Sequence, residues 1–107
     1  LLENSVIAHS DKVQLFQEKG TKFKQICSGE ILLSPDFICF LSNENIELLT
    51  LEELGAITME SNYKIQLYSK DRRLLFQAVF KKDSAKKWQD YIIETIRMKK
   101  IPMPVTR

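Results

Sequence analysis

Leu74-Leu75-Phe76-Gln77-Ala78-Val79-Phe80 is followed within three residues by Asp83-Ser84-Ala85-Lys86-Lys87-Trp88-Gln89-Asp90-Tyr91-Ile92. In the first run Leu74, Phe76, Ala78 and Phe80 alternate with their neighbours, as in a strand with one face buried. In the second run Ala85, Trp88, Ile92 and Ile96 recur three or four apart, with Thr95 beside them, as on one face of a helix. A strand therefore ends near Phe80 and an amphipathic helix begins near Ala85. Asp83 or Ser84 can accept hydrogen bonds from the free amides of its first turn. Lys86 with Asp90, and Glu94 with Arg97, stand at pairing distance on the polar face, for about 0.2–0.5 kcal/mol each. Arg97, Lys99 and Lys100 near the carboxyl end suit the helix dipole. Pro102 and Pro104 forbid further helix, so residues 101–107 read as an extended tail.

Upstream of this stretch the chain is extended. Val13-Gln14-Leu15-Phe16-Gln17 reads as a first strand, and Glu18 to Lys22 as a polar loop. Phe23 to Ser34 is a second strand in which Gly29 marks a bulge or bend. Ser34-Pro35-Asp36 is a turn signal, and the apolar run Phe37 to Leu41 completes a hairpin. Ile46 to Leu54 admits two readings. Ile46-Glu47-Leu48 alternates as a strand, whereas Leu48, Leu51 and Leu54 before Gly55 fit a short helix. The extended chain on both sides favours a strand followed by a connection. Ala56 to Glu60, Tyr63 to Tyr68 and Leu74 to Phe80 complete the set, with Ser69 to Arg73 as a turn.

The resulting expectation is a mainly β domain: a seven-stranded antiparallel barrel or sandwich capped by one C-terminal α-helix. Trp88, Ile92 and Ile96 then plug its open end. At 107 residues there is room for one domain, expected over residues 11–100, with residues 1–10 as a flanking segment and 101–107 as the tail. The first residues lack a basic flank and do not resemble a secretory signal. A fragment of a larger cytosolic protein is the expectation. Cys27 and Cys39 have no metal-ligand spacing and read as two small hydrophobes in a reducing compartment.

Net charge is +2, but its distribution is uneven. From Gln25 to Tyr63 there are seven acids and no lysine or arginine, whereas Lys64 to Arg107 carries twelve basic residues against four acids. Such a division gives one molecule an acidic and a basic face, or brings the two signs together and neutralises them.

The strand ending near Ala78, the polar linker and the Trp88 helix with Ile92 resemble the pleckstrin homology family, whose order of elements fits from about Asp11 to Met98. The related GRAM domains share the layout. Lipid-binding members carry a basic signature around the first loop, and Lys19-Gly20-Thr21-Lys22-Phe23-Lys24 is similar to it. The resemblance implies that the sixth-to-seventh strand loop opens towards the same end, setting Lys70, Arg72 and Arg73 near Lys19 and Lys22. Lys19, Lys22, Lys24, Lys70, Arg72 and Arg73 then form an expected headgroup-binding mouth. Each cation close to an anionic surface is worth about 1 kcal/mol. Two departures stand against this: Lys24 replaces an arginine and loses bidentate phosphate geometry, and Glu44 puts an acid in the third-to-fourth strand loop.

Nothing in the chain suggests catalysis, a cofactor or a metal. His9 is the single histidine and lies in what reads as an exposed terminal segment. The three glycines are widely separated and form no phosphate loop. Lys81, Lys82, Lys86 and Lys87 form a second basic cluster without interleaved aromatic residues, which argues for a solvated helix face over nucleic acid. The implied function is non-catalytic recruitment to phosphoinositide or another anionic lipid. The alternatives are a protein partner, met through the acidic segment Glu44 to Glu60 or a sheet edge, and an adjoining domain such as a GTPase exchange factor.

Overall fold

The computed structural model describes residues 9–19, 22–42 and 46–106, with side chains at 9–16 and from residue 28 onward. Eight strands and one helix follow in order: β1 (His9–Lys19), β2 (Lys22–Leu33), β3 (Phe37–Leu41), β4 (Ile46–Thr50), β5 (Leu54–Ser61), β6 (Lys64–Ser69), β7 (Leu74–Phe80), α1 (Ala85–Lys99) and β8 (Val105–Thr106). They form one sheet in the order β4-β3-β2-β1-β7-β6-β5-β8, antiparallel except where β8 joins β5. The sheet curls around a single core. Phe40 on β3 and Phe76 on β7, three places apart in that order, bring their ring centroids to 4.6 Å.

The expected seven strands are thus eight. The additional one lies in the segment expected as a free tail. Lys100 adopts φ 60°, Ile101 packs against the core, Pro104 is buried, and Val105 and Thr106 pair with Ala56 and Ile57. Prolines stop a helix but leave an extended segment free to dock as an edge strand. β1 also starts at His9, two residues inside the segment expected to flank the domain. Ile46 to Leu54 satisfies both of its readings in turn, as strand β4 and then a single 3-10 turn over Leu51–Glu53.

The Ser34-Pro35-Asp36 turn forms as expected. Ser34 Oγ accepts from the amides of Asp36 and Phe37 at 3.2 and 3.1 Å. Gly29 is not the bulge: Leu15 faces Cys27 and Phe16 faces Gln25, so the extra residue is Ile26. Gly29 instead allows a close crossing, since a Cβ there would stand 2.1 Å from the Leu41 carbonyl oxygen.

Helix α1 lies against β5 and β6. Ala85, Trp88, Ile92 and Ile96 are its buried face, with Trp88 only 1% exposed. The Lys86–Asp90 and Arg97–Glu94 pairs both form, at 3.0 Å, in solvent. One feature differs from expectation. Ser84 occupies the N-cap without a side-chain hydrogen bond. The Ala85 amide instead donates to the Asn62 carbonyl at 3.1 Å, so a neighbouring turn does the capping. Gln89 is buried and its amide donates to the Ile57 carbonyl at 3.4 Å. His9 is not free in solvent either. Its ring stacks on Tyr91 with centroids 3.5 Å apart and stands edge-on to Trp88 at 6.4 Å. Cys39 is fully buried as a free thiol, and burial pushes its pKa up.

Candidate functional site

The sheet register determines which loops share an end of the domain. β1 pairs with β7 from Val13↔Phe80 to Phe16↔Gln77, antiparallel. Moving along β1 towards Lys19 therefore runs alongside β7 towards Leu74. The Lys19 end of β1 and the loop between β6 and β7 therefore lie towards the same end of the sheet. Past Phe16, β1 pairs with β2 alone, up to Lys19↔Lys22. Lys24 faces Gln17 on that arm. The side chains of Lys19, Lys22 and Lys24, and residues 20–21 and 43–45 with Glu44 among them, lie outside the described residues.

Lys70, Arg72 and Arg73 are all exposed on the β6–β7 loop. Ser69 organises this loop through both of its ends. Its amide donates to the Arg73 carbonyl at 2.8 Å, and its carbonyl accepts from the Arg72 amide at 3.0 Å. Its Oγ accepts from the Arg73 amide at 3.1 Å and donates to the Asp71 carboxylate. That hydroxyl holds the Asp71 carboxyl below its ordinary pKa. Desolvation opposes the shift, and the Arg73 charge reinforces it. Since the folded value is the lowered one, this contribution is present above the ordinary carboxylate range and is lost as pH falls through the folded value.

Arg72 is held at φ 67°. A left-handed residue after a tight turn is the standard end of a short hairpin loop, and glycine is its usual occupant. A side chain there costs about 1–2 kcal/mol. Arg72→Gly is therefore expected to raise stability by about 0.5–1 kcal/mol, after the flexibility of glycine is subtracted. The urea midpoint checks this; an unchanged or lowered midpoint would show that the arginine makes a compensating contact.

A groove of about 420 Å³ runs beside this loop, lined by Gly55, Tyr68, Ser69, Lys70, Arg72 and Val105 among others. Gly55 is the residue skipped where Leu54 faces Ser69 and Ala56 faces Tyr68. A Cβ on it would come within 2.4 Å of the Ser69 carbonyl oxygen and 2.6 Å of Lys70 Cα. The glycine lets the start of β5 press directly against the loop. Tyr68 is anchored by its hydroxyl, which donates to Gln66 Oε1 at 3.0 Å.

The second basic cluster lies at the opposite end, where β7 leads into α1. Lys81, Lys82, Lys86 and Lys87 are exposed. Lys12, Lys81 and Lys82 border a surface hollow of about 360 Å³ that also holds Asp11 and Glu30. The hollow is therefore of mixed sign. A third groove, of about 480 Å³, lies between α1 and the β2–β3 turn and includes His9, Pro35, Tyr91 and Met98. Among the described residues no group of three or more His, Cys, Asp or Glu side chains is placed to hold a metal ion. No helix among them is long and apolar enough to cross a membrane.

No family model and no curated protein matches this chain. Solved structures do. The chain is similar to the Vps36 N-terminal PH domain, with a TM-score of 0.69 and 19% identity over 92% of this chain and 83% of that one. It is similar to the linker-DH/PH domains of p115-RhoGEF, with a TM-score of 0.64 and 15% identity over 92% of this chain and 32% of that one. Inner membrane complex sub-compartment protein 3 of Toxoplasma gondii matches with a TM-score of 0.63 and 12% identity, over 83% of this chain and 75% of that one. At these identities the likeness concerns backbone architecture. A curled antiparallel sheet, closed by a C-terminal helix whose tryptophan is buried against it, gives this chain the pleckstrin homology-like fold.

Proposed function

We propose that this domain is a non-catalytic membrane-targeting module of a larger cytosolic protein, binding phosphoinositide or other anionic lipid through its basic rim. The observation that carries the reading is the Ser69–Arg73 loop. It presents three exposed cations on a backbone braced by hydrogen bonds, with Arg72 kept where glycine would be easier. The one acid among them, Asp71, is engaged by Ser69. Lys19, Lys22 and Lys24 extend the same rim in this proposal, because their hairpin tip shares that end. Clustered cations on a rigid loop attract an anionic headgroup without a large ordering cost.

Sedimentation with phosphatidylcholine vesicles, with and without a phosphorylated phosphatidylinositol, tests this. Lys70→Gln with Arg72→Gln removes two surface charges and is expected to weaken vesicle binding by about 2 kcal/mol, roughly thirtyfold. Lys22→Glu with Lys24→Glu is expected to weaken it further. Vesicle binding unchanged by both pairs would remove the rim from the mechanism.

A protein partner is the second reading, and β4 favours it. This strand is an edge of the sheet and exposes Ile46 and Leu48, at 56% and 40%, beside the exposed acids Glu52 and Glu53. An open edge with apolar side chains accepts an extended peptide, and the acids select a basic one. Capture that survives loss of the lysines but fails with Glu52→Lys and Glu53→Lys would support it.

A further inference from the structure

We propose that the apolar groove between α1 and the β2–β3 turn is a self-association surface, across which two copies of this chain exchange Met98 about a two-fold axis. Tyr91, Thr95 and Met98 recur three or four apart along α1, as a second stripe beside the buried one. The stripe rises out of the core. Tyr91 and Thr95 are half-buried, and Met98 is 76% exposed. With His9 and Pro35 these side chains line a groove of about 480 Å³. Its walls are held in place. The His9 ring lies flat on Tyr91, and Lys99 reaches the Asp36 carboxylate, tying the helix to the turn. The Thr95 hydroxyl donates to the Tyr91 carbonyl at 2.8 Å and needs no outside partner. A groove whose walls are already ordered accepts a side chain at small entropic cost. Methionine, flexible and unbranched, fills an irregular hollow well. Here the exposed methionine and the hollow stand side by side on one surface, an arrangement that a two-fold axis makes reciprocal.

The charges beside the groove select a second copy as its occupant. The Leu51 amide donates to the Asp36 carbonyl at 3.4 Å, which sets the Leu51–Glu53 turn against the same β2–β3 turn that walls the groove. Glu52 and Glu53 are exposed on it. Lys100, two positions past Met98, is exposed at the helix end. Among the described residues none of these three makes an ion pair within the chain. One face of the domain thus carries an acidic edge, an apolar groove and a basic end. Rotated by half a turn against itself, it sets acid on base twice, with apolar surface between. An acidic partner would leave Glu52 and Glu53 unmatched, and a basic one would leave Lys100 unmatched. A second copy meets both. Met98, Lys100, Glu52 and Glu53 all lie outside the Ser69–Arg73 loop, so the inference does not depend on the lipid reading.

The test is sedimentation velocity on the whole 107-residue chain, over about a hundredfold range of concentration. The unaltered chain is expected to pass reversibly from monomer to dimer as concentration rises. Met98→Asp is expected to weaken the dimer by about thirtyfold, because the change enters a symmetric interface twice. Met98 is largely exposed, so this variant and the unaltered chain should share a urea midpoint when both are diluted to monomers. Lys100→Glu alone, and Glu52→Lys with Glu53→Lys alone, are each expected to weaken self-association by about tenfold. An equal mixture of those two proteins is expected to dimerise again, since each then offers the other its missing sign. A chain that stays monomeric at every concentration would overturn the proposal. So would a Met98→Asp protein that dimerises like the unaltered chain, or a mixture that associates no better than its components. Growth beyond the dimer would also overturn it, because a two-fold contact is complete at two copies.

Discussion

Trp88→Ala is expected to destabilise the domain by about 3–5 kcal/mol, measured as the shift in urea midpoint. The indole is 1% exposed and is bordered by Phe80, with ring centroids 6.0 Å apart, and by Tyr91 edge-on at the same distance. Removing it leaves a cavity at the meeting of helix and sheet, where the rigid strands beneath cannot collapse to fill the space. A small domain has only about 5–15 kcal/mol in total, so the variant is expected to be partly unfolded at ordinary temperature. Met98→Ala, on the same helix but with a residue 76% exposed, is the control and should cost less than about 0.5 kcal/mol. If the two variants unfolded at the same urea concentration, the helix would not be sealing the core.

Gly29→Ala is expected to cost about 3 kcal/mol, at the upper end for overpacking. The added methyl meets the Leu41 carbonyl oxygen at 2.1 Å, with the Leu41 carbonyl carbon and Ser42 Cα at 3.0 and 3.2 Å. These are backbone atoms and cannot rotate aside. Relief requires β2 and β3 to part near Glu30↔Leu41, the last pair of their ladder at this end. Hydrogen exchange at Leu41 and its neighbours should accelerate more than at β6. A loss spread evenly through the sheet, or no loss of stability, would show that the crossing is not tight. The contrast with Arg72→Gly is direct: one substitution adds a Cβ where there is no room, and the other removes one where the backbone resists it.

The last third of the chain was the most legible. Leu74 to Phe80 and the face of α1 follow from period alone, because burial of one side of a strand or helix imposes a repeat that the residues must display. Lys86–Asp90 and Glu94–Arg97 were legible for the same reason, being local pairs on one helix. Gln89 was not, since a polar residue gives no sign of burial until its partner, the Ile57 carbonyl, is brought beside it. His9 was misread for a related reason: its stacking partner Tyr91 is 82 positions away along the chain. β8 was missed because a two-residue strand just after two prolines has no period to detect.

In the candidate site, the cations were visible in the sequence as composition around two loops. Which loops lie towards one end of the sheet depends on the β1–β7 pairing, a contact between strands far apart in the chain that local spacing does not encode. The groove beside Lys70 and Arg72 is further removed still. It needs Gly55 against Ser69, a left-handed arginine and a strand returning from the C-terminus, and each of these exists only once the sheet has curled. Residue order by itself determined the strands, the helix and the face that Trp88 buries, because those depend on short-range repeats of apolar side chains. Tertiary structure alone decided which loops lie towards one end of the sheet and what walls the groove beside Lys70 and Arg72, because those depend on long-range backbone pairing.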